Sequence, residues 1–333
     1  MKGKNKAFTG AFAALGMFFL ILDTKTCFRG AAEGIELCTK TVIPSLFPFF
    51  FLTAMMQRGQ FQQICRLLRP LGKLCRIPAG SEYLLFIGMI GGYPTGAQAV
   101  KTAYQNQAIS KEAAERMLGF CSNGGPAFIF GMLGLLWQNP MIPWLLWAIQ
   151  MASALVTGML LPGGSNITCS IPPKKSKDPL NTAIISMAAV CSWVILFRVL
   201  ISFLNHWILW IFPENIFIIL SGLLELTNGC LALHSVNSES SRFITACVIC
   251  SFGGLCVYLQ TVSVVQGLHC RSYFLGKSMQ AILSALFSSF LSVFLWGIPI
   301  CYTAIMAVIL GGYLVLCRKI CNIRAGKRLL HRV

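Results

Sequence analysis

Glu225 stands inside an apolar run, Ile216 to Leu233, that reads I-F-I-I-L-S-G-L-L-E-L-T-N-G-C-L-A-L. A charge at that depth costs about 2.5–3.5 kcal/mol on insertion scales, so an intramembrane carboxylate marks a functional site by default. Thr227, Asn228 and Gly229 follow closely and make poor helix, so a local break is expected beside the charge. Unpaired backbone at membrane depth persists only where protein buries it or where it lines a cavity. Broken helices near the midplane are where transporters hold their solutes.

A second interruption lies in the first half of the chain. Residues 120–131 read F-C-S-N-G-G-P-A-F-I-F-G, and Gly124, Gly125 and Pro126 leave backbone groups without helical partners. The helix restarting after Pro126 offers free N–H groups of partial positive charge, which suits an anion. Ser122 and Asn123 add side-chain donors. The plainer alternative is a kinked helix with packing glycines. Arg198, in W-V-I-L-F-R-V-L-I-S-F, is the strongly basic residue set deep in a span. At a depth similar to Glu225 on the preceding span, it either neutralises that carboxylate or faces the carboxylate of a solute. The alternative is snorkelling to the outer surface.

The elements that must carry these groups follow from composition. Of 333 residues, 56% are hydrophobic and 11% charged, with a mean hydropathy of +0.71. That is an all-α, polytopic integral membrane protein. Apolar segments recur at about 8–22, 42–57, 117–137, 144–161, 181–204, 216–233, 278–297 and 299–317, which predicts about eight transmembrane helices. Two further stretches, 83–107 and 243–268, are cut by glycine pairs in G-G-Y-P-T-G-A-Q and F-G-G-L-C-V-Y-L-Q. Each half is too short to span, which predicts two re-entrant hairpins. Gly91, Gly92, Tyr93, Pro94, Thr95 and Gly96 at one tip, and Gly253 and Gly254 at the other, join the candidate solute contacts. Glycine there allows close backbone approach.

The net charge of +17 comes from 27 Lys+Arg against 10 Asp+Glu. The basic residues sit in short loops between apolar spans, which is the positive-inside pattern; no nucleic-acid partner is expected. The apolar run from Ala7 to Leu22 lacks a small-x-small site after it and reads as an uncleaved first span. With both termini cytoplasmic and both hairpins returning to their own side, the basic groups fall inside: Arg58 to Arg76, Lys101 to Arg116, Lys174 to Lys177, Arg242 to Lys277, and the tail from Arg318. Segments 26–41 and 60–77 mix charge with apolar residues and read as interfacial.

Shifting the chain by 162 residues matches Gly91-Gly92 with Gly253-Gly254 and Gln98 with Gln260, among others, which predicts an internal two-fold repeat. On this topology the repeat is parallel. The expected organisation is a first helix and interfacial segment (1–40), a first repeat with hairpin and broken helix (41–162), a basic cytoplasmic loop (163–180), a second repeat with hairpin (181–317) and a basic tail (318–333).

Catalytic readings are weak. The chain has no H-E-x-x-H, G-x-S-x-G or P-loop, and a lone glutamate lacks an acid–base partner. Most of the fifteen cysteines lie in or beside apolar stretches and act as small hydrophobes; Cys247 and Cys250 form a lone C-x-x-C without a second pair. The four histidines show no ligand spacing. No enzyme activity, cofactor or metal is expected, and the coupling ion and oligomeric state stay open.

The combination I-P-S-L-F-P-F-F at 43–50, G-G-Y-P-T-G-A at 91–97, S-N-G-G-P-A-F-I-F-G at 122–131, G-L-L-E-L-T-N-G at 222–229 and S-F-G-G-L at 251–255 resembles the sporulation integral membrane protein YlbJ family. The resemblance covers about residues 40–320. It implies a nucleoside-recognition or gate domain, distantly similar to concentrative nucleoside transporters, which have inverted repeats. It implies a spore-forming bacterium, a place in the mother-cell-derived outer forespore membrane, and movement of dipicolinic acid toward the developing spore. The implied site comprises Gly91 to Gly96, Ser122 to Pro126, Glu225, Thr227, Asn228, Gly253 and Gly254. The expected partners are a small anionic solute and the lipid bilayer. A nucleoside or other small-solute carrier and a non-transporting scaffold for spore-envelope assembly are the alternatives.

Overall fold

The computed structural model describes residues 14–56, 65–163, 178–208 and 211–330. The basic stretch Lys174 to Lys177, Arg58, and the outer parts of both expected termini lie outside them. Among the described residues the structure is helical throughout, as the long apolar runs dictate. Five helices are long and apolar enough to cross a membrane: Thr24–Met56, Met141–Leu160, Pro179–Trp207, Glu239–Val264 and Arg271–Trp296.

The first of these five is α1 (Thr24–Leu37), which continues through a π turn at Cys38–Val42 into α2 (Ile43–Met56). Residues 26–41, expected in the membrane plane, are thus part of one 33-residue helix. Asp23 starts it by accepting the Thr26 amide proton at 3.1 Å. Gly30 and Gly34 bring α1 against α9 (Pro179–Trp207): a methyl on either would lie 3.0 Å from a Cα of that helix, Val199 or Ile195. Small residues four apart allow this close approach, and packing replaces the hydrophobic effect between helices in lipid.

After the short α3 (Arg69–Leu74), α4 (Tyr83–Ile90) and α5 (Thr95–Gln105) fold back on each other across Gly91–Pro94. Gly88 and Gly96 make the fold-back possible. A methyl on Gly96 would lie 3.0 Å from the Gly88 Cα, and both glycines face the Cys121 carbonyl. The chain then runs through α6 (Lys111–Met117), an irregular stretch over 118–125, and α7 (Pro126–Gly131) to α8 (Met141–Leu160).

The second half departs from expectation at two places. The run 216–233 is not one span. It divides into α10 (Glu214–Leu224) and α11 (Leu226–Ala232), with Glu225 extended between them. Gly229 lies against Gly222, so α11 returns along α10. Two glycines seven apart in a straight helix would be about 10 Å apart. Conversely, 243–268 is not a hairpin. α12 (Glu239–Phe252) and α13 (Gly254–Val264) are parted only by Gly253 and together form one of the five long apolar helices. The offset of 162 therefore matches a folded-back tip with a break in a through-running helix.

α14 (Arg271–Trp296) packs against α12, α8 and α15 (Cys301–Leu330). Its contact seam is built from small hydroxyl residues. Ser284, Ser288 and Ser292 are fully buried, and the Ser284 hydroxyl lies 2.6 Å from that of Ser251 on α12 and 3.5 Å from that of Ser153 on α8.

Candidate functional site

Elements from both halves meet around one cavity. Tyr93 from the first hairpin, Gly124, Gly125 and Phe128 from the first broken helix, Glu225, Leu226 and Thr227 from the second hairpin, and Val257 and Gln260 from the second broken helix all line it. Thr41, Val42, Ser45 and Leu46 close one side, and Val190 and Val194 of α9 another.

Glu225 is 2% exposed, and its carboxylate accepts hydrogen bonds from the helix it starts. One oxygen accepts the Thr227 amide at 3.0 Å; the other accepts the Asn228 amide and the Asn228 side-chain amide, each at 2.7 Å. Glu225 is thus the N-cap of α11, held by three N–H groups and the positive end of the helix. The polar run after it does not interrupt a helix, as its composition led one to expect: Thr227, Asn228 and Gly229 lie within α11, the break falls at Glu225 itself, and Thr227 and Asn228 supply the donors.

The expected direct pair between Arg198 and Glu225 does not form. Arg198 donates to Glu33 Oε2 from Nε at 3.0 Å and Nη2 at 2.6 Å, and from Nη1 to Asn228 Oδ1 at 2.7 Å. Asn228 therefore bridges Arg198 to Glu225. Glu33 takes the guanidinium because the glycine contact of α1 with α9 brings it there.

At the first broken helix, Gly124 and Gly125 face the cavity, whereas Asn123 turns away from it. Its side-chain amide donates to Gly88 O at 3.1 Å and Phe120 O at 2.9 Å, and its Oδ1 accepts from Lys277 Nζ at 3.0 Å and Gln280 Nε2 at 2.9 Å. Ser122 is fully buried and its hydroxyl has no partner. Pro126 opens α7, which is only one and a half turns long, so the expected dipole at its start is small.

At the first hairpin, the Tyr93 hydroxyl donates to Cys250 O at 3.2 Å and the ring lies on Gly253. Gly92 rests on Gly125, and the Thr95 hydroxyl closes the turn by donating to Gly92 O at 2.7 Å. Gly91, Pro94 and Gly96 shape the tip without reaching the cavity. Gly254 lies against the carbonyls of Gly222, Leu223 and Leu224, so the end of α10 docks on the second break. Of the expected contacts, the fold brings Tyr93, Gly124, Gly125, Glu225 and Thr227 to the cavity wall. Gly92, Ser122, Asn123, Arg198, Asn228, Gly253 and Gly254 are not on that wall.

Sequence reasoning missed Gln260, Gln150, Gln280 and Lys277. Lys277 was expected among the loop cations, yet it is 1% exposed inside α14. Gln280 three residues on, followed by Ala281, Ser284, Ala285 and Ser288 at helical spacing, is the signal that this stretch already belongs to the interior.

The chain is similar to a sporulation membrane protein. The relative is the sporulation integral membrane protein YlbJ of Bacillus subtilis (strain 168), 30% identical over 158 residues, which is 45% of this chain and 38% of the relative. The match thus spans well under half of the relative's own length. No family model matches and no solved structure matches. The YlbJ resemblance read from the motifs is supported by this alignment, and the fold is that of an all-helical integral membrane protein.

Proposed function

We propose that the chain is a carrier of a small anionic metabolite, dipicolinate in a sporulating cell, moving it toward the forespore across the outer forespore membrane. The observation that carries this reading is the convergence of two hairpin tips and two broken helices on one cavity. Such convergence near a membrane midplane is how carriers expose backbone donors to a solute without exposing them to lipid.

The same geometry supports a revised topology. The sequence hairpin, broken helix, long helix occurs at 83–160 and again at 214–296. An offset near 130 aligns Ser122-Asn123-Gly124-Gly125 with Ser251-Phe252-Gly253-Gly254, Gln150 with Gln280, and Ser153 with Ser284 within a residue or so. A re-entrant hairpin adds no crossing, while the broken helix, the long helix and α9 add one each. Three crossings separate the two units, so the repeat is inverted. Both termini remain cytoplasmic on this reading.

Deleting the gene in a spore former should leave mother-cell dipicolinate synthesis intact and spore dipicolinate strongly reduced. Restoring the wild-type chain should recover loading, and a Ser45→Trp chain, which fills the cavity from α2, should not. Full spore dipicolinate in the deletion strain overturns the carrier reading and favours an envelope scaffold.

A further inference from the structure

Four charged side chains are buried among the described residues: Glu82, Arg116, Glu225 and Lys277. Three are compensated by a counter-charge, by backbone dipoles, or by both. Glu82 approaches Arg69 at 4.0 Å and accepts the Gly80 amide at 2.9 Å. Arg116 donates to the carbonyls of Cys75, Leu161 and Gly158. Glu225 caps α11.

Lys277 is different. Its ammonium donates to two neutral amide oxygens, Gln280 Oε1 at 2.7 Å and Asn123 Oδ1 at 3.0 Å. Its remaining face lies over the Tyr93 ring, 5.0 Å from the centroid. Among the described residues no carboxylate lies within ion-pair distance of it. A cation withdrawn from water without a counter-charge is costly, and such residues inside membrane proteins mark solute and ion pathways.

The surroundings also have unused hydrogen-bonding capacity. Gln150 Oε1 and Ser122 Oγ are fully buried without partners. Gln150 sits directly on Gly124 of the cavity wall, and Gln280 donates to the Gln150 carbonyl at 3.2 Å. Tyr93 links this cluster to the cavity: it lines the cavity, and its ring also meets the Lys277 nitrogen. The Tyr93 side chain is held by its hydroxyl bond to the Cys250 carbonyl at 3.2 Å, with Ser251 O at 3.5 Å, and by its ring's packing on Gly253.

We propose that Lys277 is the specificity-determining cation of the carrier: a carboxylate of the solute supplies the counter-charge that the protein withholds, reaching Lys277 when Tyr93 turns aside. This rests on the carrier reading and names the residue that selects an anion over a neutral solute. Asn123 and Gln280 then act as placeholders, since amide oxygens hold an ammonium in place without cancelling its charge. Among the described residues no counter-charge stands beside the amine, and a bound carboxylate supplies it. Glu225 does not supply the counter-charge to Lys277, because its carboxylate is engaged by three N–H groups of its own helix.

The test uses the full chain reconstituted in vesicles of phosphatidylethanolamine and phosphatidylglycerol, with uptake of labelled dipicolinate and of its neutral diamide. Wild type should take up dipicolinate well above the diamide. Lys277→Met should lose at least tenfold of dipicolinate uptake and keep or gain diamide uptake, with a thermal midpoint equal to or above wild type. A purely structural lysine would instead lower the midpoint and leave the selectivity unchanged. Asn123→Asp is the second variant. It sets a carboxylate about 3 Å from Lys277, keeps the lysine and should suppress dipicolinate uptake as strongly. Wild-type selectivity in a folded Lys277→Met chain overturns the proposal and leaves the carrier reading standing. Full dipicolinate uptake by Asn123→Asp does the same even if Lys277→Met fails to fold. Absence of uptake of either compound by wild type overturns the carrier reading itself, and this proposal with it.

Discussion

At the scale of single residues, Glu225 and Arg198 show how a buried charge is read differently once its neighbours are known. Glu225→Ala removes a cap and leaves three N–H groups without acceptors, so it should cost about 1 kcal/mol or more in stability. Chemical unfolding in detergent measures this, and a change within error would mean the cap is idle. The partner of Arg198 is tested by double-mutant cycles. Arg198→Gln with Glu33→Gln should show coupling of about 0.5–1 kcal/mol, since both side chains are about one-third exposed and solvent screens the pair. Arg198→Gln with Glu225→Gln should couple less, because Asn228 stands between them. The reverse order would restore the direct pair that the sequence led one to expect. Depth alone suggests that pairing. Depth does not distinguish Glu225 from Glu33, whose approach depends on Gly30 and Gly34 of a neighbouring helix.

At the scale of elements, both hairpins depend on glycine pairs flanking the tip. Gly88 faces Gly96 in the first, and Gly222 faces Gly229 in the second. Gly96→Leu and Gly229→Leu should each cost about 1–3 kcal/mol or more, because the added atoms meet backbone that cannot move aside. Gly311→Leu, where nothing lies within 4 Å, is the matched control. Equal folded yields for all three, measured by detergent chromatography, would contradict the fold-back. The sequence alone points to Gly92 and Gly254 as sites where bulk plugs a path without unfolding. Both have positive φ, +75° and +79°, and a methyl on Gly254 would lie 3.0 Å from the Gly222 carbonyl oxygen, so leucine there strains the backbone first. Ser45, on the cavity wall of α2, is the better position for a plug.

At the scale of the whole molecule, exchanging the roles of 214–232 and 239–264 moves the loop between them across the membrane. Reporters fused at Asn139 and at Asn237 should fall on the same side, opposite to one at Lys175. A reporter at Asn237 on the side of Lys175 would bring back the parallel arrangement. The sequence by itself determined the solvent of the fold and the positions of its interruptions. Hydropathy is a property of composition, and glycine pairs weaken a helix locally, whereas single residues such as Pro48 and Gly30 stay inside helices here. The sequence marked breaks at Gly91–Gly92, Gly124–Gly125 and Gly253–Gly254, each of which falls at a helix end, and a fourth at Thr227 to Gly229, which are helical, the break falling at Glu225 instead. Only the tertiary structure decided which breaks reverse the chain and which merely bend it. Reversal depends on a facing surface, such as Gly222 meeting Gly229, that no local signal encodes. It also decided that Lys277 is an interior cation rather than a loop charge. Its partner Asn123 is 154 residues away in sequence, and a buried charge is defined by what folding brings around it.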